Sequence, residues 1–347
     1  MLKRLEDNPI VRREDVRPSR EGFEVYGAFN CGAAKVGEEY FLLMRVAERP
    51  AQEKGLIKVP ILNEACDDVE VLCFRPDEPG LNASDPRLIV RADGSVLLTS
   101  ISHLRLARSR DGADFKVDET PTIFPAAPYE RYGIEDPRIT LLDGRWWINY
   151  SAVSEAGVVT ALISTTDWRR FERHGILFAP TDKDVCIFPE KVGGRCVCRH
   201  RPWAQGIGTP SIWTAYSGDL IHWGEHELTL APRPGMWDEE RVGCGPPPVR
   251  TERGWLDVYH GADKAGRYGL GALLTALDEP SRVIARSGRP ILEPRAEYET
   301  HGVYAPCVFC NGLVAEEDGT LRIYYGAADT VVGGALTSVQ ELLAELR

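Results

Sequence analysis

The sequence predicts an all-β fold of the β-propeller kind, closed by one short C-terminal helix. Three observations predict it. Short strand-like runs recur from end to end, Asp-Gly and Gly-rich pairs separate them, and one turn motif returns at a period of roughly 50 residues. The runs are dense in aromatic and β-branched residues: YFLLMRV (40–46), SVLLTSI (95–101), WWINYSAV (146–153), SIWTAYS (211–217), WLDVYHG (255–261) and LRIYYGA (321–327). Asp93-Gly94, Asp143-Gly144, Gly193-Gly194 and Asp318-Gly319 stand where hairpins turn. In the repeated motif a hydroxyl residue is followed two positions on by Asp, and four further by an aromatic. Ser109, Asp111 and Phe115 form one copy, Thr165, Asp167 and Phe171 the second, and Ser217, Asp219 and Trp223 the third. A short polar side chain fastens each turn, and the aromatic is expected to pack on the neighbouring blade. Length and period, with some irregular segments allowed for, suggest five or six blades. The exception to strand is SVQELLAELR (338–347), where Ser338 as N-cap and Glu341 form a capping box. No linker or break in composition divides the chain, so residues 1–347 read as a single domain.

Composition narrows the function classes. Of 347 residues, 43% are hydrophobic and 27% charged, enough for a large core and no mark of disorder. The net charge of −11 argues against a nucleic-acid partner, which requires a basic face. The opening MLKRLEDNPIV lacks the apolar core of a secretory signal, and no run approaches a membrane span. The nine cysteines are an odd number, and Cys307 and Cys310 find no second pair to complete a metal site. Cys196 and Cys198 alternate and are expected on one face of a sheet. Free thiols, no metal and a cytoplasmic setting are the expectation. Assembly into a homo-oligomer is left open.

Polar groups concentrate beside Gly and Pro in AFNCGAAK (28–35) leading to Arg45, GIEDPRI (133–139), DKDVCIFPEK through RHRP (182–202), WDEERVGCGPPP through YHGAD (237–263), and YYGAADT ending at Asp329. A propeller gathers such loops at one mouth. In GIEDPRI, Pro137 is expected to hold Asp136 extended, so that Glu135 and Asp136 point to opposite sides and one of them faces a ligand. A hydrolytic glycosidase normally uses two carboxylates, whereas a phosphorolytic enzyme needs only the acid, because phosphate is the nucleophile. Asp136 as the cap of a turn is the plainer alternative. Lys183, Lys191, Arg199, His200 and Arg201 put five basic groups into one hairpin, either an anion site or a solvated charged face. His260, at a strand end beside Gly261, is either a ligand contact or a structural histidine.

Taken together and in order, FNCGAAK with Arg45, GIEDPRI, DKDVCIFPEKVGGR with HRP, RVGCGPPP with YHGAD, YGLGALLTALDEPSRVIAR and YYGAADT resemble glycoside hydrolase family 130 over nearly the whole chain. The resemblance implies a five-bladed β-propeller and an inverting β-mannoside phosphorylase that transfers mannose to inorganic phosphate as α-mannose 1-phosphate. It requires no metal or organic cofactor; its partners are a small β-mannoside and phosphate. It implies Asp136 as the general acid, acting directly or through a substrate hydroxyl. It implies Asn30, Arg45 and Asp329 around the −1 mannosyl unit, and Lys183, Arg201, His260 and Arg241 around phosphate. Lys183 keeps charge where an arginine also occurs in similar enzymes, and Cys31 stands where a small or hydroxylated residue is common. DNPIVRREDVRPSREGFEV and LLMRVAE resemble the members acting on β-1,2 linkages. The alternatives are β-1,4-mannosylglucose or β-1,4-mannooligosaccharide phosphorolysis, hydrolysis by an inverting β-mannosidase, and a non-catalytic sugar-binding propeller. The +1 subsite, expected from segments near 50–90 and 295–306, sets the linkage.

Overall fold

Where the sequence places Asp143-Gly144, the chain turns as that pair prefers. Both residues have positive φ, 52° and 76°, and Leu142 pairs directly with Arg145 across the turn. The computed structural model describes residues 2–203 and 206–346. Its strands form successive antiparallel groups. The first holds Phe23–Val36, Glu39–Pro50, Ile101–Ser109 and Lys116–Val117. The second holds Gly133–Leu142, Arg145–Ser154, Gly157–Thr165 and Glu172–Phe178. A parallel bridge between Gly133 and Ser102 joins the two into one eight-stranded sheet. The third is Asp182–Ile187, Cys196–Pro202, Ile212–Ser217 and Trp223–Leu230. The fourth is Arg241–Cys244, Gly254–Ala262, Tyr268–Thr275 and Val283–Arg286, with Val249–Thr251 beside it. In the last group Val308–Ala315, Thr320–Ala327 and Val331–Ser338 are completed by Lys3–Arg4 from the other end of the chain. Among the described residues no sheet closes on itself.

The hydrophobic core lies between these groups. Leu43 and Leu104 of the first pack with Ile134 and Ile148 of the second, Leu142 and Leu162 of the second with Val185 and Ile187 of the third, and Leu256 and Leu270 of the fourth with Val308 and Ile323 of the last. Each such side chain, fully withdrawn from water, contributes about 1.5–3 kcal/mol. The leading strands also pack on one another. Phe23–Val36 lies against Gly133–Leu142 and Val308–Ala315, and Asp182–Ile187 lies against Gly133–Leu142 and Arg241–Cys244.

The repeated motif forms the same turn three times. Ser109, Thr165 and Ser217 each accept from the backbone N–H three residues on, and Asp111, Asp167 and Asp219 each accept from two successive N–H groups. Two of the three aromatics reach the preceding group directly, and the third does so through Trp168. Phe115 meets Tyr324 edge-on at 5.6 Å and Trp223 meets Phe178 at 6.1 Å. Phe171 packs on Trp168, which itself lies against Phe41. The spacing is less regular than expected, because hairpins at Ile57–Leu62 with Val69–Phe74 and at Leu88–Val90 with Val96–Leu98 are inserted in the first group. The run 95–101 is accordingly split between Val96–Leu98 and the next strand, Ile101–Ser109. The C-terminal helix spans Val339–Glu345, and Ser338 accepts from the Glu341 N–H as its cap; Arg347 lies outside the described residues.

None of the nine cysteines is in a disulfide, and Cys196 and Cys198 share one hydrophobic cluster, as alternation predicts. Cys31 is also buried in the core. No helix among the described residues is long and apolar enough to cross a membrane, and none of their His, Cys, Asp and Glu side chains gather in threes to hold a metal.

Candidate active site

Three candidate residues sit at irregularities in the leading strands. Asn30 (φ 45°) interrupts the ladder between Phe29 and Cys31, Asp136 (φ 51°) between Glu135 and Arg138, and Asp184 (φ 56°) between Lys183 and Cys186. A bulge leaves its extra residue unpaired and re-aims the side chain. Asn and Asp tolerate the left-handed region better than other non-glycine residues, which suits them to these positions. Asp329 (φ 53°) occupies the turn between Thr320–Ala327 and Val331–Ser338.

The bulge corrects the expectation of an extended Asp136. Because its backbone is left-handed, Glu135 and Asp136 do not diverge; both reach Arg45. The Arg45 guanidinium donates to Glu135 Oε1 at 2.7 Å and to Asp136 Oδ1 at 3.4 Å, and its Nε donates to Ser102 Oγ at 3.1 Å. Its charge lies over the Phe29 ring, 4.8 Å from the centroid. Asn30 Nδ2 donates to Asp136 Oδ1 at 3.0 Å, while Asn30 Oδ1 is buried without a protein partner. Burial alone would raise the Asp136 carboxyl, but Arg45, Lys183, the Asn30 hydrogen bond and Arg138 outweigh it and hold the group below the ordinary carboxylate range. Asp329 goes the other way. Burial, with Asp136 and Glu135 nearby, pushes it up to about 6 against the pull of Arg45 and Arg87.

A second cluster forms on Asp184, a residue the sequence reading passed over. Asp184 Oδ2 accepts from Arg201 Nε at 2.6 Å and lies 3.3 Å from His260 Nε2; Oδ1 accepts from Arg138 Nη2 at 3.3 Å. Arg138, also unassigned in advance, further donates to the carbonyls of Asp136, Cys244 and Gly245, so it ties the two clusters together. Despite full burial, Arg201, His260 and Arg138 hold Asp184 well below the usual range. Burial pushes His260 down to about 4 against the pull of Asp184, so the ring is neutral at neutral pH. Ionised Asp184 then draws the ring proton to Nε2, leaving Nδ1 as a bare acceptor, buried without a protein partner. Lys183 pairs directly with Arg201 across the ladder, which puts both side chains on one face. Arg241 stands further out. Its Nη1 donates to the Tyr268 hydroxyl at 3.3 Å, and the Tyr268 ring lies 5.9 Å from that of His260.

The other basic residues of the 182–202 hairpin do not join this cluster. Lys191 pairs with Asp143 at the surface, Arg199 is locked in a buried fork with Asp257, and His200 bonds to Asp182 and His226. Strand direction explains the loss of Arg199. It lies on the same face as Arg201 but beyond the bulge, paired with Cys186. Asp184 and Arg138 were legible only as members of charged motifs; the sequence contains no signal that they would meet.

The arrangement sets a carboxyl that can exchange a proton beside buried cations that can hold an anion. A fold of this class occurs in glycoside-cleaving enzymes: a glycosyl hydrolase from Bacteroides ovatus, 22% identical, superposes with a TM-score of 0.76 over 98% of this chain and 94% of that one. The chain belongs to glycoside hydrolase family 130, whose family model, described as β-1,4-mannooligosaccharide phosphorylase, matches residues 85–347. It is 44% identical over 349 residues to a β-1,2-mannobiose phosphorylase of Listeria innocua serovar 6a, covering 99% of this chain and 98% of the relative. The solved structure of the Listeria innocua β-1,2-mannobiose phosphorylase in complex with β-1,2-mannobiose gives a TM-score of 0.95 at 43% identity, with 99% of both chains covered. A 1,2-β-oligomannan phosphorylase of Thermoanaerobacter sp. is 38% identical over 245 residues, 70% of this chain and 80% of that one.

Proposed function

We propose that the protein is an inverting phosphorylase of β-1,2-mannobiose or short β-1,2-oligomannans, acting in the cytoplasm as a single catalytic domain. The observation that carries the reading is the Asp184 cluster: Arg201 and His260 held on one buried carboxylate, with Lys183 on the face of Arg201, beside the Asp136 carboxyl. A hydrolase has no need of buried cations at the position of the nucleophile. The β-1,2 assignment is supported by the printed activities of the 44% and 38% identical relatives. A five-bladed propeller is the natural reading of the successive antiparallel groups, with Lys3–Arg4 closing the ring on the last.

In this reading Asn30, Arg45 and Asp329 hold the mannosyl unit in the −1 subsite. Phosphate lies between Lys183 and the outer nitrogens of Arg201, whose Nε is already engaged by Asp184. The neutral His260 accepts a hydrogen bond at Nδ1 from the P–OH of monohydrogen phosphate, which keeps its proton, and this satisfies an otherwise orphaned buried atom. A phosphate oxygen attacks the anomeric carbon, the glycosidic C–O bond breaks, and the leaving oxygen takes a proton from Asp136, directly or through a substrate hydroxyl. The product is α-mannose 1-phosphate. Phosphate also solves the protonation problem of Asp136. Lys183 is one of the charges keeping this acid ionised; a bound anion offsets that charge and raises its proton affinity. No metal or organic cofactor enters these steps. The test is cleavage of β-1,2-mannobiose with and without phosphate: the reading expects phosphate-dependent release of α-mannose 1-phosphate, and release of free mannose alone, at an undiminished rate without phosphate, refutes it.

A further inference from the structure

We propose that Asp182, oriented by His200, positions Arg201 for phosphate from the far side of the 182–202 hairpin; this rests on the phosphorylase reading above. Asp182 opens the strand Asp182–Ile187, and His200 and Arg201 lie near the end of its partner, Cys196–Pro202. Lys183 and Arg201 form one rung of this pair, and directly beyond that rung the ladder is broken by the bulge at Asp184. Regular pairing does not brace the rung on that side. Arg201 is instead gripped by two carboxylates. Asp184 Oδ2 takes its Nε at 2.6 Å, and Asp182 Oδ1 accepts from its backbone N–H at 3.2 Å. Adjacent residues of a strand face opposite ways, so Asp182 and His200 lie behind the face that presents Lys183 and Arg201. The first contact aims the guanidinium, and the second fixes the point from which the side chain starts.

Asp182 is itself firmly held. Its Oδ2 accepts from His200 Nδ1 at 2.7 Å, and its carbonyl accepts from Thr160 Oγ1, in the second group of strands, at 3.1 Å. His200 is anchored at both ring nitrogens, since its Nε2 meets His226 Nδ1 at 3.0 Å. The ring lies stacked on Phe178, with centroids 4.7 Å apart and planes 11° from parallel. The side chains of Asp182 and His200 keep only 8% and 4% of their surface exposed, which makes this charge-assisted bond strong and directional. Both carboxylate oxygens are taken by groups of the partner strand, so Asp182 acts on phosphate only through Arg201.

The experiment is a double-mutant cycle on the whole chain, with the KM for phosphate measured at saturating mannobiose and the KM for mannobiose at saturating phosphate. In Asp182→Ala the phosphate KM should rise on the order of 10-fold, the scale of a guanidinium displaced by a fraction of an ångström, while the mannobiose KM stays near that of wild type. Added to Arg201→Ala, the same change should move the phosphate KM by less than about 2-fold, because its effect runs through Arg201. Asp182→Asn should recover most of the loss. Its amide oxygen accepts from the Arg201 N–H, its NH2 donates to His200 Nδ1, and the other tautomer of the histidine donates from Nε2 to His226. An unchanged phosphate KM in Asp182→Ala overturns the proposal. So does an equal rise in both KM values, or a fully additive effect in the Arg201→Ala background, either of which makes Asp182 a support of the fold alone. Asp182→Asn as impaired as Asp182→Ala also overturns it, by assigning the effect to charge rather than to hydrogen bonds. If Asp182→Ala does not fold, His200→Phe, which keeps the stacking on Phe178 and removes the donor to Oδ2, is read on the same constants. A wild type that needs no phosphate, or Arg201→Ala with a wild-type phosphate KM, refutes the anion-site reading and the proposal with it. A rise in Arg201→Ala without one in Asp182→Ala refutes the proposal alone.

Discussion

Replacing Gly243 by alanine tests the anion site without replacing any of its charged groups. Gly243 pairs with His260 across the ladder, and a Cβ there would fall 2.2 Å from His260 Nε2, 2.5 Å from Cε1 and 2.6 Å from Asp184 Oδ2. Heavy atoms do not tolerate such approach, so His260 and Asp184 must retreat by about 1 Å, and displacements of that size at a reacting site can cost on the order of 10²-fold. Neither can retreat freely. Asp184 is held by Arg201 and Arg138, and the His260 ring lies 4.2 Å from that of Phe309. Overpacking of this kind costs roughly 1–3 kcal/mol, so the melting temperature should fall by a few degrees while the protein stays folded. Asn30, Arg45 and Asp329 do not touch Gly243, and binding of the mannoside should persist. The assay is initial rate against phosphate concentration at saturating mannobiose, with thermal unfolding in parallel. A folded variant with wild-type phosphate dependence would show that the Asp184–His260 pair does not hold phosphate.

Asp136→Asn should lower turnover by roughly 10²- to 10⁴-fold with little change in melting temperature, because the amide is nearly isosteric but delivers no proton; wild-type turnover removes Asp136 from the acid role. Arg201→Ala should raise the phosphate KM by about one to two orders of magnitude, the worth of a charge-assisted contact, and leave mannobiose binding nearly unchanged; phosphate titrations of the two enzymes decide it. Asp329, pushed up to about 6, gains a proton as pH falls through that value and loses its attraction to the charges of Arg45 and Arg87. At saturating phosphate, kcat/KM for mannobiose should therefore fall through that window, and the Asp329-dependent part of this limb should be missing from Asp329→Asn. The sign for stability is opposite: the fold favours protonated Asp329, so its contribution is fully present below the ordinary carboxylate pKa and is lost as pH rises through about 6. Chemical unfolding of both proteins across pH 4 to about 8 measures that slope.

Local chemistry was legible in the sequence. Runs dense in aromatic and β-branched residues fell on strands, Asp143-Gly144 turned a hairpin, Ser338 capped the helix, and the motif begun by Ser109, Thr165 and Ser217 forms the same turn each time. Such features depend on side chains and backbone within a few residues of each other, so the order of residues is sufficient to specify them. The motifs around Asp136 and Arg201 were visible for the same reason, as polar residues beside Gly and Pro. What they would touch was not. Strict alternation separates Glu135 from Asp136, yet the bulge at Asp136 brings both to Arg45. The five basic residues of the 182–202 hairpin look equivalent in a list, yet Arg199 finds Asp257 and Arg201 finds Asp184. Arg138 became the link between the two clusters, and Arg87 met Tyr304, through contacts between groups of strands that no local period encodes. The physical reason is one of range. Hydrophobic period and turn preference act over a few residues, but the direction of a bulged side chain and the partner of a buried charge are settled by whichever strands pack beside it, and those lie from 17 residues away, as for Arg201 and Asp184, to 107, as for Arg138 and Gly245.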